Sequence, residues 1–325
     1  MTSMLQQAKR AVLTLLAAVL LSAPGLPGAA AGSEPHFTPL ELEPLLKKLE
    51  GDGFDREALN RTFYDPLLQK IPRVISLNTL TDETHRLYEE FLTPYAIRQA
   101  RRYRERHLGL LKEAERKYGV SRDVIVAVLL VETQFGTFPL KYRVLEVFTT
   151  LAVDGQPQSA YRYFDELKPG LPHLELEYLQ SRLLQKAGWA YDELVALLQI
   201  EIPGKRPYDL LGSYAGAFGI AQFLPSSYRR WAVDGNGDGR VDLDDHADAI
   251  ASTANYLRAH GWNSQAGLAL KMSAVWKYNN SRPYVDTIFE ISRLINRPAY
   301  KRTQRTLKPP QASVREMQTQ HAQAE

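Results

Sequence analysis

Cysteine is absent from this 325-residue sequence. Its absence excludes disulfide bonds, thiolate catalysis, cysteine-ligated zinc and iron–sulfur clusters, and it excludes a lipid attached to an N-terminal cysteine. An excess of one charge is also lacking, since 40 basic residues are set against 37 acidic ones. A nearly neutral chain has no overall electrostatic footprint for nucleic acid, so we expect no nucleic-acid partner.

Long apolar runs are lacking everywhere except near the N-terminus. Lys9 and Arg10 precede an almost wholly apolar stretch at 11–23, and small residues follow at 29–31. A basic flank, an apolar core of this length and a small-residue site predict a cleaved signal peptide over residues 1–31, because the stretch is short for a bilayer span. We therefore expect a mature protein outside the cytoplasm, without a lipid anchor and without an integral membrane span.

Helical periodicity dominates the remaining sequence. Apolar residues recur at helical spacing in 39–49 and 81–118, and no run shows sustained alternation of period two, so a large sheet is not expected. Further helices are predicted at 121–135, 175–186, 191–198, 245–260, 266–276 and 283–294. Gly136 and Gly261 are predicted to end two of these helices.

A single acid follows the most apolar internal segment. Eight apolar residues at 124–131 lead directly into Glu132. Ser121 is placed to cap a helix here, although the β-branched content also allows a buried strand. On a helix Glu132 shares a face with buried residues, where a carboxyl holds its proton more readily and can donate it. The alternative is a glutamate that reaches solvent or pairs with an arginine.

Small residues crowd the segment 212–227, which reads GSYAGAFGIAQFLPSS. Such a backbone admits the close approach of another helix or of a ligand. Gln222 can donate and accept hydrogen bonds in a groove wall, whereas tight helix packing would explain the glycines equally well. A later segment, 274–285, combines flat aromatic faces with the amides of Asn279 and Asn280, which suits a sugar site or a simple turn.

The stretch from Asp234 to Asp242 matches the start of an EF-hand calcium loop. Oxygen donors are expected at alternate positions, with Gly239 at the sharp turn. The predicted ligands are Asp234, Asn236, Asp238, Arg240 (through its carbonyl), Asp242, Asp245 and Asp248. Asp245 stands where a glutamate usually closes the loop, so Asp248 is the alternative closing residue. A single loop and only four methionines favour a structural Ca²⁺ over a calcium sensor; an Asx-rich turn without an ion is the alternative.

These segments, taken together and in order, resemble the lytic murein transglycosylases of the membrane-bound B type, glycoside hydrolase family 103. The resemblance covers roughly residues 70–295. It is carried by Tyr118-Gly119-Val120, Glu132-Thr133-x-Phe135-Gly136, Arg143 to Ala152, Tyr163-Phe164, Gly212 to Gly219, Gln222 to Ser227, the Asp-rich loop, Asn255-Tyr256, His260-Gly261-Trp262 and Tyr278-Asn279-x-Ser281-x-x-Tyr284. The resemblance implies a mostly helical, α+β lysozyme-like fold. We expect an N-terminal helical region at 32–117, a catalytic domain at 118–298 with the EF-hand-like loop at 234–248, and a flexible polar tail at 299–325.

The resemblance also implies an activity, namely cleavage of the β-1,4 bond between N-acetylmuramic acid and N-acetylglucosamine in peptidoglycan without water. Glu132 falls on the acid that protonates the glycosidic oxygen and then acts as base, which forms a 1,6-anhydro end. Further candidate substrate-binding residues are Ser213, Gln222, Tyr278, Asn279, Tyr256 and Arg162. Implied partners are peptidoglycan glycan strands and cell-wall enzyme complexes, and the implied location is the periplasm.

Three departures from the family pattern affect these expectations. Leu224 stands where methionine is common, Phe135 where tryptophan or tyrosine is common, and Ser159-Ala160 replace two expected arginines. Two other functions stay open. A lysozyme-type hydrolase would need a second carboxylate, for which Glu146, Asp154 and Glu166 are candidates; a non-catalytic scaffold would keep the groove without the chemistry.

Overall fold

The protein is described from a computed structural model, which defines residues 36–80, 84–202 and 204–297. The predicted signal peptide and the predicted polar tail lie outside the described residues. The described chain is mostly helical, with one small antiparallel pair of strands, so the fold class predicted from the sequence is confirmed. No helix in the described part of the chain is both long enough and apolar enough to cross a membrane.

Thirteen α-helices are defined in the described residues. In chain order they are α1 (Pro39–Gly51), α2 (Arg56–Phe63), α3 (Arg73–Leu80), α4 (Pro94–Arg106), α5 (Leu108–Tyr118), α6 (Arg122–Thr133), α7 (Val144–Asp154), α8 (Ala160–Leu167), α9 (Leu176–Leu198), α10 (Pro225–Trp231), α11 (His246–Ala259), α12 (Leu268–Tyr278) and α13 (Arg282–Asn296). Three 3₁₀ segments lie at His85–Leu92, Pro157–Ser159 and Pro207–Asp209. The strands are β1 (Tyr142–Arg143) and β2 (Leu211–Gly212), paired with Tyr142 opposite Gly212.

Helix α6 lies at the centre of the molecule. Every residue from Asp123 to Thr133 is buried, and α4, α11 and α13 pack around it. This complete burial explains why the apolar run is unbroken. Of the two structures that the sequence allowed here, a helix and a buried strand, the helix is correct. The helix ends at Thr133, before the predicted stop at Gly136. Gln134 caps it in the left-handed region, and the Phe135 N–H closes the end on the Leu129 carbonyl.

The helices predicted between residues 175 and 294 lie where they were expected, but some of their bounds differ. The two helices predicted at 175–186 and 191–198 are one helix, α9, because Gly188 is tolerated on its exposed face. Helix α7 was not predicted, since it is buried on nearly all sides and therefore shows no apolar periodicity. It packs against α9. Buried side chains from α1 to α13 form one continuous core.

Candidate active site

Glu132 occupies the last turn of α6 with only 3% of its surface exposed. Tyr284, near the start of α13, donates its hydroxyl hydrogen to Oε1 of Glu132 over 2.6 Å. Ser281 caps α13 and fixes the turn that places Tyr284. Burial, followed by the negative charge of Glu132, raises the pKa of the Tyr284 phenol well above its ordinary value. The phenol therefore stays protonated and keeps its role as donor.

Three further residues, Tyr278, Asn279 and Tyr88, complete this buried cluster. The Tyr278 hydroxyl donates to the Ala221 carbonyl over 2.5 Å, and burial together with the Glu132 charge raises its pKa. The Asn279 amide donates to the hydroxyl of Tyr88 over 3.3 Å. The Tyr88 ring in turn packs edge-on against Tyr284, with 6.1 Å between ring centroids. Sequence analysis missed Tyr88, because nothing in its local sequence marks it as part of a site.

Gln222 lies in the small-residue segment with its backbone in the left-handed region at φ 49°. Its amide nitrogen donates to the Gly219 carbonyl over 2.8 Å, while its buried Oε1 has no hydrogen-bond partner among the residues that the structure describes. A buried acceptor without a donor is costly and is a ready partner for a hydroxyl or amide of a ligand. The nearby Ser213 is buried, with Oγ 3.5 Å from the Ala217 carbonyl.

Close packing accounts for the glycines of the same segment. A Cβ at Gly216 would lie 2.2 Å from Cζ of Phe148, and one at Gly219 would lie 2.4 Å from Cβ of Leu243. Both glycines also have positive φ, which other residues rarely adopt. Packing is thus the correct explanation for these glycines, whereas the unpaired acceptor of Gln222 is consistent with a ligand site.

An aromatic stack with a side chain of α4 holds the turn after α6 in place. Gln134, Phe135 and Gly136 all have positive φ; this region costs energy for the two non-glycine residues, whereas glycine adopts it freely. Phe135 stacks on Tyr103, with 4.0 Å between centroids and 9° between planes. The Tyr103 hydroxyl lies 3.1 Å from Nδ1 of His246. Helices α4 and α11 therefore support the turn that follows Glu132.

The remaining predicted substrate-binding residues make structural contacts. Tyr256 donates to the Lys277 carbonyl over 2.6 Å and so joins α11 to α12. Arg162 donates to Asp154 over 2.9 Å and to the Tyr163 hydroxyl over 2.7 Å. Both of these partners of Arg162 lie outside the Glu132 cluster.

Two of the candidate second carboxylates are engaged elsewhere. Asp154 forms ion pairs with Lys70 at 3.0 Å and with Arg162 at 2.9 Å. Glu146 accepts a hydrogen bond from the Gln69 N–H over 3.1 Å, and burial raises its pKa. Each carboxylate is therefore held by partners of its own.

The Asp-rich loop is organised by bonds between its own carboxylates and backbone. Asp234 accepts from the N–H groups of Gly237 at 2.6 Å and Gly239 at 2.8 Å, which lowers its pKa. Asp248 is buried and accepts from Gly235 at 2.8 Å and Asp242 at 2.6 Å, so it ties the two ends of the loop together. The alternative closing residue, Asp248, thus bridges the loop.

Asp245, one of the predicted ligands, also starts the helix that follows the loop. Its Oδ1 accepts from the N–H groups of Ala247 and Asp248, which makes it the N-cap of α11. Both Asp242 oxygens lie 2.7 Å from Nζ of Lys205. Within 36–80, 84–202 and 204–297, no three His, Cys, Asp or Glu side chains are gathered as a metal site would require. The donor types fit Ca²⁺, but their oxygens are directed at backbone N–H groups and at Lys205.

The chain belongs to the transglycosylase SLT domain family, whose sequence profile matches residues 40–275. It is 30% identical over 232 residues to the membrane-bound lytic murein transglycosylase B of Escherichia coli K12. The aligned region covers 66% of this chain and 55% of the relative. The chain therefore spans little more than half the length of that curated relative.

Two solved structures show that the fold is shared with known proteins. The Escherichia coli lytic transglycosylase SLT35, solved in complex with calcium, superposes with a TM-score of 0.60 at 23% identity, covering 78% of this chain and 92% of the other. SltB3 from Pseudomonas aeruginosa, solved with NAG-anhNAM-pentapeptide, superposes with a TM-score of 0.61 at 21% identity, covering 79% of each chain. The lysozyme-like fold class is thereby confirmed.

Proposed function

We propose that this protein is a lytic transglycosylase that cleaves the β-1,4 bond between N-acetylmuramic acid and N-acetylglucosamine in peptidoglycan. The observation that carries the proposal is a buried carboxyl, Glu132, held by the Tyr284 hydroxyl at 2.6 Å. Family membership supports the same activity, as does the name of the Escherichia coli relative. Peptidoglycan glycan strands are the proposed substrate, since SltB3 was solved with NAG-anhNAM-pentapeptide.

The proposed reaction uses one carboxyl twice. In the proposed reaction the protonated form of Glu132 donates its proton to the glycosidic oxygen as the bond to C1 of the muramic acid breaks. The acetamido group of that sugar stabilises the cationic centre. Glu132 then takes the proton of the same sugar's 6-hydroxyl, whose oxygen bonds to C1 and closes the 1,6-anhydro ring. The internal nucleophile benefits from proximity, and no water is consumed.

The contacts of two of the three candidate second carboxylates support a reaction with one carboxylate. A hydrolase needs a second carboxylate across the cleft, and Asp154 and Glu146 are bonded to Lys70, Arg162 and Gln69 instead, while Glu166 stays an untested candidate. We propose Ser213, Gln222, Tyr278 and Asn279 as the residues that line the substrate groove. The unpaired Oε1 of Gln222 is the acceptor best placed for a sugar hydroxyl or acetamido N–H.

The test is mass spectrometry of the fragments released from purified peptidoglycan by the mature protein and by Glu132→Gln. Fragments with 1,6-anhydro-muramic acid ends, lost in the variant, would support the proposal. Fragments one water heavier would identify a hydrolase. Binding to the sacculus without any fragments would identify a scaffold.

Calcium and location complete the proposal. We propose a structural Ca²⁺ held by Asp234, Asn236, Asp238 and the Arg240 carbonyl, with Asp248 closing the loop. The donor chemistry and Gly239 at positive φ support this set, and SLT35 was solved with calcium. We also propose export to the periplasm through the predicted signal peptide at 1–31, where peptidoglycan and cell-wall enzyme complexes are found.

A further inference from the structure

Thr133, the residue directly after Glu132, is only 2% exposed, and its hydroxyl bridges two distant segments. Oγ1 donates to the Ile220 carbonyl over 2.9 Å and accepts from the Gly136 N–H over 2.8 Å. The first of these bonds spans 87 positions of the chain. One hydroxyl therefore connects the end of α6, the turn that follows it and the small-residue segment that carries Gln222.

The end of α6 is closed by its backbone and does not depend on this hydroxyl. The Gln134 N–H donates to the Leu130 carbonyl over 2.9 Å, and the Phe135 N–H donates to the Leu129 carbonyl over 3.0 Å. These bonds satisfy two carbonyls that a helix end would otherwise leave open. Termination of the helix therefore does not explain the contact that Thr133 makes across the fold.

The direction of the Thr133 hydroxyl is also not the one that helical threonines usually adopt. A threonine within a helix commonly donates to a carbonyl one turn earlier, as Thr149 does to Leu145 over 2.7 Å. Thr133 donates instead to Ile220, which lies outside the helices. Its hydroxyl thus serves a contact between segments.

Ile220 is a fixed point on the other side of this contact. Its N–H donates to the Leu243 carbonyl over 2.8 Å. Its side chain meets the turn directly, because a Cβ built on Gly136 would lie 3.0 Å from Cγ1 of Ile220. Gln222, whose amide is proposed to face the substrate, follows two residues later. The Thr133 bond therefore ties the turn after the proposed acid to the segment that presents Gln222.

We infer that Thr133 is a positioning residue whose hydroxyl holds the carboxyl of Glu132 and the amide of Gln222 at the separation that the reaction needs. This inference rests on the proposed function, because it assigns a further residue to the same reaction. Gln134 and Phe135 have positive φ, which costs energy, and the two Thr133 bonds help to hold this turn. A displacement of about 1 Å at such a site can lower a rate on the order of 100-fold.

The experiment separates the hydroxyl from the shape of the side chain. Thr133→Val keeps the shape and loses both bonds, Thr133→Ala loses the hydroxyl and leaves room for water beside the Ile220 carbonyl, and Thr133→Ser keeps the hydroxyl. Thr150→Val is the matched control, since Thr150 is buried and its hydroxyl accepts from the Ile71 N–H over 3.0 Å, outside the Glu132 cluster. New glycan ends released from soluble strands give kcat and KM, and melting temperatures report stability.

Thr133→Val and Thr133→Ala should each lower kcat by about ten-fold and change KM by less than about two-fold. The groups that contact the substrate are kept, while the acid is displaced from its position in the transition state. Thr133→Ser should return kcat to within about two-fold of the wild type. Both valine variants lose a buried hydrogen bond and should lower the melting temperature, but Thr150→Val should keep the wild-type kcat.

Several outcomes would overturn the positioning role. The first is a wild-type kcat in Thr133→Val and Thr133→Ala. The second is an equal loss of kcat in Thr133→Ser, because the hydroxyl would then not be the cause. The third is an equal loss in Thr150→Val, which would trace the effect to stability. Wild-type ends that are one water heavier would instead remove the proposed transglycosylation, and the same comparison of kcat values would still decide the role of Thr133.

Discussion

The Tyr284 hydroxyl and Oε1 of Glu132 lie 2.6 Å apart, although 152 positions separate the two residues in the chain. This bond joins the end of α6 to the start of α13 and fixes the carboxyl in a buried position. The direction of the Glu132 side chain is thus set by tertiary structure and not by its own helix alone.

Tyr284→Phe should lower kcat/KM by about 10- to 100-fold, because it removes the hydrogen bond to the carboxylate that Glu132 becomes as it gives up its proton, and a lost hydrogen bond to a charged group costs roughly 1.5–3 kcal/mol. The ring that packs on Tyr88 is kept, so the melting temperature should change little. Tyr191→Phe is the matched control, since its hydroxyl donates to Asp52 at the same 2.6 Å away from the Glu132 cluster. Activity in Tyr284→Phe within two-fold of the wild type would contradict the role.

Lys186 should make the stability of the protein depend on pH. It is fully buried, Nζ has no hydrogen-bond partner in the described part of the chain, and burial, with a smaller effect of Arg182, lowers its pKa to about 7 from 10.5. Between these values the unfolded chain binds a proton that the folded chain does not, so this contribution to stability rises with pH. Below about pH 7 both states are protonated and the full cost is present.

Lys186→Met should therefore be more stable than the wild type by on the order of 3–5 kcal/mol below pH 7, an advantage that disappears towards pH 10.5. Urea unfolding of both proteins from pH 6 to 10.5 measures this difference. Lys112→Met, at an exposed position of α5, should show no such trend. A constant difference across the pH range would show that Lys186 stays charged in the fold.

Calcium should stabilise the loop at 234–248. With a dissociation constant on the order of 10⁻³ M, about 10 mM Ca²⁺ adds roughly 1.4 kcal/mol to the free energy of unfolding. Asp234→Asn should abolish the resulting rise in melting temperature. Asp244→Asn should keep it, because Asp244 bonds Lys205 and is outside the proposed ligand set. An equal rise with Mg²⁺, or an equal loss in both variants, would argue against a specific calcium site.

Gly216→Ala should destabilise the fold by about 2 kcal/mol or more. The new Cβ would meet the Phe148 ring at 2.2 Å, and φ is +77°. Gly188→Ala is the matched control, because nothing lies within 4 Å of its Cβ on α9 and alanine favours a helix by up to about 1 kcal/mol. Thermal unfolding of both variants tests the pair, and a Gly216→Ala protein as stable as the wild type would contradict the packing.

Local signals predicted the position of the helix that carries Glu132 correctly, and they also marked the Asp-rich loop, whose calcium site stays a prediction. The apolar run before Glu132 and the alternating acids after Val233 are contiguous in the sequence, so they are visible without tertiary structure. Asp245 was predicted as a ligand although an aspartate just before a helix is also an N-cap signal. The sequence therefore allowed two roles for Asp245, calcium ligand and N-cap. The structure shows the N-cap hydrogen bonds, and the ligand role stays a prediction.

Contacts between distant segments could not be predicted. Tyr88 lies in a short 3₁₀ segment, and its role depends on where α12 and α13 meet. The bonds of Arg162 depend on how α8 packs beside the end of α7. Helix α7 was missed for the opposite reason, since burial on nearly all sides removes the polar face that periodicity requires.

The contact of Tyr88 with Tyr284 and Asn279 has a consequence for protein engineering. A fragment that starts at residue 118 would keep Glu132 and its donor Tyr284 but would lose the Tyr88 ring and hydroxyl that contact Tyr284 and Asn279. A fragment designed to keep the Glu132 cluster intact must therefore include the segment His85–Leu92. Exchange of that segment between relatives would alter the surroundings of Tyr284 while Glu132 and Tyr284 themselves are left unchanged.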